Sequence, residues 1–232
     1  SSIYLAQATN SNKKIFWITA FDNSLKTVTV DIAPTGITSS SWAIGGRQSV
    51  VDTALSVCRA GDICYVNDNI SVAGTVAIFR NSGDTTSGYV KLIGKSGAKR
   101  TLTCSNTAST VNCATSLWWI ENLEIKQTGG GTGIGILCST IGVLYNTKIS
   151  QSASHGLSCS SSGCPRVIDC EITGAGGDGI NFSSSGGTAL QVFGSYIHGN
   201  TGDGIELANT NAAHVIAGTV IAGNTARGIY IS

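Results

Sequence analysis

The last hundred residues of the chain repeat a short phrase, and each phrase closes on an isoleucine. Ile125, Ile149, Ile172, Ile197 and Ile221 lie 24, 23, 25 and 24 residues apart. The phrases have one shape: Ile120-Glu-Asn-Leu-Glu-Ile125, Leu144-Tyr-Asn-Thr-Lys-Ile149, Val167-Ile-Asp-Cys-Glu-Ile172, Val192-Phe-Gly-Ser-Tyr-Ile197 and Ile216-Ala-Gly-Thr-Val-Ile221. The third position is Asn122, Asn146, Asp169, Gly194 or Gly218. These residue types tolerate positive φ and so permit a bend within each phrase. A period near 24 without a helical pattern predicts a β-solenoid.

A second series runs in step: Gly135-Ile-Leu-Cys138, Gly156-Leu-Ser-Cys159, Gly179-Ile-Asn-Phe182, Gly204-Ile-Glu-Leu207 and Gly228-Ile-Tyr-Ile231. Alternation with period two predicts half-buried strands. Ile136, Leu157, Ile180, Ile205 and Ile229 then point inward, with Cys138, Cys159, Phe182, Leu207 and Ile231. Two or three strands per turn, each stacked on its equivalent, make a parallel β-helix. In that register Glu124, Lys148 and Glu171 occupy one outward row, which places opposite charges side by side. A single turn is too small to offset its own ordering entropy, so neighbouring turns must share burial.

The expected fold class is all-β: a right-handed parallel β-helix with a short N-terminal capping helix and a small N-terminal β segment. Residues 1–41 form that segment and a linker, and residues 42–232 the helix proper, with regular rungs over about 117–232. Early strands are expected at Ile3–Ala8, Lys14–Ala20 and Leu25–Ile32, with a turn-rich linker at Gly36–Gly46. The capping helix spans about 48–58, with Val50 or Val51, Ala54, Leu55 and Cys58 on one apolar face. Further strands are expected at Ile63–Val66, Thr75–Phe79, Tyr89–Ile93 and Thr101–Cys104, and Cys104–Cys113 reads as a bulging loop.

The run Val51-Asp-Thr-Ala-Leu-Ser-Val-Cys-Arg-Ala-Gly-Asp-Ile-Cys-Tyr-Val66 resembles the opening segment of right-handed parallel β-helix proteins of the pectin-lyase-like class. There a short helix caps the solenoid and a Gly-Asp turn leads into the first rung. The resemblance covers residues 42–232 and implies the fold. It leaves activity open, because the class holds polysaccharide lyases, glycoside hydrolases, virion proteins and adhesins. The preceding Trp42-Ala-Ile-Gly-Gly-Arg47 phrase is similar to segments of phage β-helix proteins.

Net charge is +1, so composition offers no basic footprint for nucleic acid. No apolar run reaches transmembrane length. Eight cysteines are an even number, and Cys58/Cys64, Cys104/Cys113 and Cys159/Cys164 lie close in sequence. They favour disulfides and an oxidising, extracellular setting. The alternative is that Cys138 and Cys159 are small apolar fillers of a core row. Zinc is disfavoured, because no tight Cys-x-x-Cys pair exists.

One column carries candidate chemistry. His155, Asp178, Asp203 and Arg227 each precede a repeated glycine, and Glu206 lies three residues beyond Asp203. Two carboxylates about 5–9 Å apart can cleave a glycosidic bond. His155 would tune one acid and Arg227 would hold an acidic sugar. The polygalacturonase-like branch also uses Asp, His and Arg, but this chain lacks its Asn-Thr-Asp and Arg-Ile-Lys phrases, so no catalytic residue is carried over. The opposing reading is turn chemistry, in which Asp before Gly bonds neighbouring amides. Stacked carboxylates also suit Ca²⁺, although few oxygens converge; no other cofactor is implied.

Trp118 and Trp119 should place one ring inward and one outward. An outward Trp, with Tyr145, Tyr196 or Tyr230, would stack on a sugar. The sequence ends within a turn at Gly228-Ile-Tyr-Ile-Ser232, so other subunits are expected partners through that uncapped end. The leading expectation is a non-catalytic structural or attachment protein of a virion or cell surface. A polysaccharide lyase or glycoside hydrolase, and a carbohydrate-binding module, are the alternatives.

Overall fold

A computed structural model of the chain describes residues 2–6, 14–22, 27–30, 43–44, 51–160, 163–183, 189–208 and 212–232. Two compact units divide at residues 49 and 50. In the first, Ser2–Ala6, Lys14–Asp22, Thr27–Val30 and Ala43–Ile44 form a four-stranded antiparallel sheet. The rest of the expected linker, the outer ends of the expected strands and residues 48–50 lie outside the described residues.

The second unit is a parallel solenoid of three seven-stranded sheets, visited in turn by every coil. The first sheet holds Ile63–Val66, Val90–Gly94, Trp118–Glu121, Gly142–Tyr145, Arg166–Ile168, Gln191–Phe193 and Val215–Ala217. The second holds Ile70–Val72, Arg100–Cys104, Leu123–Gln127, Lys148–Gln151, Glu171–Thr173, Tyr196–His198 and Val220–Ala222. The third holds Ala77–Phe79, Val111–Cys113, Ile136–Cys138, Leu157–Cys159, Ile180–Phe182, Ile205–Leu207 and Ile229–Ile231. The sequence left two or three strands per turn open; the structure has three.

The isoleucine phrase spans the first two sheets, and its third residue is the bend between them. Asn122, Asn146 and Asp169 have φ of 55°, 44° and 51°, and Gly194 and Gly218 have 56° and 60°. The left-handed conformation costs an ordinary side chain about 1–2 kcal/mol, which is why only Asn, Asp and Gly recur here. Beyond the bend, Ile125, Ile149, Ile172, Ile197 and Ile221 stack in one register. Ile70 and Leu102 extend the row backward. Ile125 through Ile197 are fully buried, each worth about 1.5–3 kcal/mol of transfer free energy.

The third sheet carries two inward rows. One runs Val111, Ile136, Leu157, Ile180, Ile205, Ile229, and the other Phe79, Cys113, Cys138, Cys159, Phe182, Leu207, Ile231. In the last coil Ile229 and Ile231 are 45% and 61% exposed, because no described rung covers them. Val111–Cys113 corrects the expectation of a loop across Cys104–Cys113. The apolar-polar-apolar signal is three residues long there and lacks the preceding glycine that flags its successors.

The capping helix forms at Val51–Val57 and buries Val51 and Leu55 against the first rung. Asp52 pairs with Arg80 at 2.9 Å, which ties the helix to the residue after Ala77–Phe79. Trp118 lies in the core, wholly buried, with its ring 6.0 Å from that of Phe79. Gly142 is its neighbour in the next coil, where an added Cβ would sit 2.2 Å from the indole. No helix among the described residues is long and apolar enough to cross a membrane.

Candidate functional site

The polar column lies where each coil turns into the third sheet. Every third-sheet strand from Leu157–Cys159 onward follows a glycine, and the residue before that glycine faces its counterpart one coil on. His155 Nδ1 accepts the Asp178 amide at 3.2 Å. Asp178 Oδ1 accepts the Asp203 amide at 2.8 Å, and Asp203 Oδ1 accepts the Arg227 amide at 2.8 Å. The same bond thus recurs three times, in each case satisfying an amide of the next coil. Asp178 and Asp203 are 8% and 4% exposed, so neither carboxylate stands free on the surface. Gly202 leaves room for this: a Cβ there would meet Asp178 Oδ1 at 2.3 Å.

The upper half of the column is a closed ion pair. Arg227 reaches Asp203 through Nε and Nη2, both at 3.0 Å, in the bidentate geometry that suits a guanidinium. These bonds hold the Asp203 carboxyl below its ordinary value. The guanidinium also lies over the Tyr230 ring, 3.3 Å from its centroid. That contact and the Asp203 bonds occupy Arg227, which was expected to hold an acidic sugar.

The lower half is different. Asn181, Glu206 and Tyr230 follow one another in an outward row of the third sheet. Asn181 Nδ2 donates to Glu206 Oε2 at 2.6 Å and to Asp178 Oδ2 at 3.3 Å. Burial pushes the Glu206 carboxyl up, and its hydrogen bond and repulsion with Asp178 push it further. Neighbouring carboxylates repel, which disfavours ionisation of one of them. His155 Nδ1 lies 3.1 Å from Asp178 Oδ2 as well as accepting the Asp178 amide. One ring nitrogen cannot serve both: unprotonated it accepts the amide, protonated it donates to the carboxylate. The pair that Asn181 bridges is therefore Asp178 with Glu206, and Asp203 belongs to Arg227. Asn181, which bridges the pair, is the residue that reading the column alone omits; it sits at the outward position two after Gly179.

A second polar group lies on the outer face of the second sheet. Lys148 Nζ and His198 Nε2 both meet Glu171 Oε1, at 2.8 Å and 3.2 Å. Burial alone would raise the Glu171 carboxyl; the bonds from Lys148 and His198 outweigh it and hold it below its ordinary value. The expected row Glu124, Lys148, Glu171 is in register. Lys148 commits to Glu171, while Glu124 takes Lys126 at 3.4 Å and the Thr101 hydroxyl at 3.0 Å.

The aromatic candidates do not form one platform. Trp118 is in the core and donates Nε1–H to Thr140 Oγ1 at 3.3 Å. Trp119 points outward, edge-on to Tyr89 and Tyr145 at 5.6 Å and 6.2 Å, with Lys91 Nζ 5.2 Å from its centroid. Tyr196 stacks on His198 at 3.8 Å and is 43% exposed. The expected disulfides are not formed: all eight cysteines are free thiols, and of the pairs read from the sequence Cys159 and Cys164 lie 2.8 Å apart between sulfurs. Cys64 is held well above its ordinary value, first by its hydrogen bond with Cys58. Cys104 and Cys113 part company: Cys104 Sγ bonds Asn106 Oδ1 and Ala108 O, while Cys113 stacks on Cys138. Among the described residues no three His, Cys, Asp or Glu side chains converge as metal ligands.

Comparison with known proteins agrees with this architecture. No curated protein and no solved structure matches the chain. The family described as a right-handed β-helix region matches residues 101–232, more than half of the chain. With three parallel sheets in register behind that match, the chain belongs to the right-handed β-helix family.

Proposed function

We propose that the chain is a non-catalytic structural or attachment protein of a virion or cell surface, working through the stiffness of its solenoid. The observation that carries this reading is the use of the polar column. His155, Asp178 and Asp203 each spend an acceptor on the backbone of the next coil, and Arg227 is held by Asp203 and Tyr230. Groups poised for glycan cleavage need free lone pairs facing a substrate. Its partners are other protein subunits and surface glycans, in an extracellular setting.

One observation favours a second reading, a glycan depolymerase. The Glu206 carboxyl is raised by burial and by Asp178, which itself lies against an imidazole, and acid–base catalysis also uses a carboxyl raised in this way. The test is turnover on a panel of neutral and acidic polysaccharides, with wild type, Asp178→Asn and Glu206→Gln side by side. No reducing ends or unsaturated products from any of them is the expected result. Turnover by wild type that Glu206→Gln abolishes at unchanged melting temperature would replace the structural reading with the enzymatic one.

A further inference from the structure

The row Phe79, Cys113, Cys138, Cys159, Phe182 puts three thiols in consecutive coils of the core. Cys164, just before Arg166–Ile168, reaches back to the same place and is 4% exposed; the other three are fully buried. Cys159 is the pivot: its sulfur lies 2.8 Å from that of Cys164 and 3.3 Å from that of Cys138. Filling volume alone does not require this convergence, since the next coil fills the row position with Phe182. Stacked strands stand about 4.8 Å apart, within the Cα range a disulfide spans, so Cys138 and Cys159 are also bridgeable.

We propose that Cys159 is an oxidisable pivot that forms one disulfide with Cys164, and with Cys138 when Cys164 is absent. Cys164 wins because its sulfur is nearer and only five residues separate it from Cys159, against 21 for Cys138. With glutathione disulfide as oxidant, one thiolate attacks the glutathione disulfide and releases one glutathione as a mixed disulfide forms. The second thiolate then attacks the protein sulfur and releases the second glutathione. The two protein thiols lose two electrons and two protons, and one glutathione disulfide becomes two glutathiones. The step belongs to folding. Burial pushes Cys138, Cys159 and Cys164 above the ordinary thiol value, so thiolate is scarce once the coils have stacked. The inference stands apart from the structural reading above; either can fail alone.

The experiment is refolding of fully reduced, denatured protein in a buffer of reduced and oxidised glutathione, followed by alkylation and tryptic mapping. Cys159 and Cys164 share the peptide 149–166, and Cys138 lies in the peptide 127–148. In wild type the 149–166 peptide should escape alkylation on both cysteines and remain a single peptide. Cys164→Ser should instead join the two peptides, and Cys138→Ser should leave the 149–166 cross-link intact. Folded reduced protein in the same buffer should stay cross-link-free over the time in which refolding protein is converted. Circular dichroism checks folding, and Cys164→Ala replaces Cys164→Ser if the serine is not accommodated. Both thiols alkylated in refolded wild type, or Cys159 joined to any other cysteine, overturns the proposal. Unjoined peptides in a folded Cys164 variant remove Cys138 as the alternative partner.

Discussion

Two rows run along the solenoid with the same period and opposite tolerance. The row from Ile125 to Ile221 repeats one residue type five times. The column at the mouth of the third sheet uses His, Asp, Asp and Arg, yet three of its members make the same bond to the next coil. The difference lies in what each position demands. An inward position must fill a fixed volume between neighbours of the same shape, so substitution leaves a void or a clash. A column position must supply one acceptor atom, and any side chain with a well-placed lone pair will do. Variety in the column is thus permitted by the fold, and it is not in itself a sign of chemistry.

Breaking the inner row should cost most. Ile172→Ala removes a fully buried side chain packed between Ile149 and Ile197. It should lower unfolding free energy by about 2–5 kcal/mol in urea titrations. A loss much below this would mean that coils slide to close the cavity and that the row is less rigid than its repetition implies. Next comes the glycine between the two rows. A Cβ on Gly179 would sit 2.7 Å from Gly204 O, Ile197 Cγ2 and Asn200 Nδ2. Gly179→Ala should cost about 1–3 kcal/mol. Gly74→Ala, where nothing lies within 4 Å, is the matched control and should melt close to wild type.

The column should show selectivity by acceptor. Asp178→Ala leaves the buried Asp203 amide without its side-chain acceptor, at about 1–3 kcal/mol. Asp178→Asn keeps the oxygen that accepts the Asp203 amide but turns an NH2 group toward Asn181 Nδ2, so by thermal melting it should cost less than Asp178→Ala. If Asn is as damaging as Ala, the carboxylate charge is needed there, and the column has more in common with an active site than with a set of turns.

Sequence reading reaches the inner rows and stops short of the outer ones for a physical reason. Ile125 and its equivalents obey the coil period, and Asn122, Asn146 and Asp169 reveal the bend because few residues accept φ near 50°. These are constraints of the repeat itself. The capping helix is legible for a similar reason, since Val51 and Leu55 are four apart on one face. Val111–Cys113 is hidden in the sequence because its coil lacks the glycine that marks the others. The site chemistry depends instead on which of two reachable partners a long side chain selects. Arg227 chooses Asp203 and Tyr230; Glu206 is left with Asp178; Lys148 chooses Glu171 over Glu124. Register puts all these groups within reach of one another, and side-chain conformation and packing decide between the partners.

The smallest expected effect divides the two halves of the column by pH. The Asp203 carboxyl is held below its ordinary value of 3.8, chiefly by hydrogen bonds from Arg227. Its contribution is present above that value and is lost as pH falls through the lowered one. Glu206 runs the other way. Its folded value lies above the ordinary 4.5, through burial first and Asp178 second. Over the window from 4.5 up to the raised value the folded state holds more protons than the unfolded chain. Stability therefore falls as pH rises through that window and stays lower above it. Glu206→Gln cannot ionise, so it should be more stable than wild type at neutral pH, by less than about 1 kcal/mol for so solvent-screened a pair. The gain should vanish below pH 4.5, where wild-type Glu206 is protonated in both states. Denaturant melts of the two proteins across that range measure it. A variant that is less stable at neutral pH would mean that the ionised carboxylate is stabilised in the fold, and the upward push on Glu206 from burial and Asp178 would have to be given up.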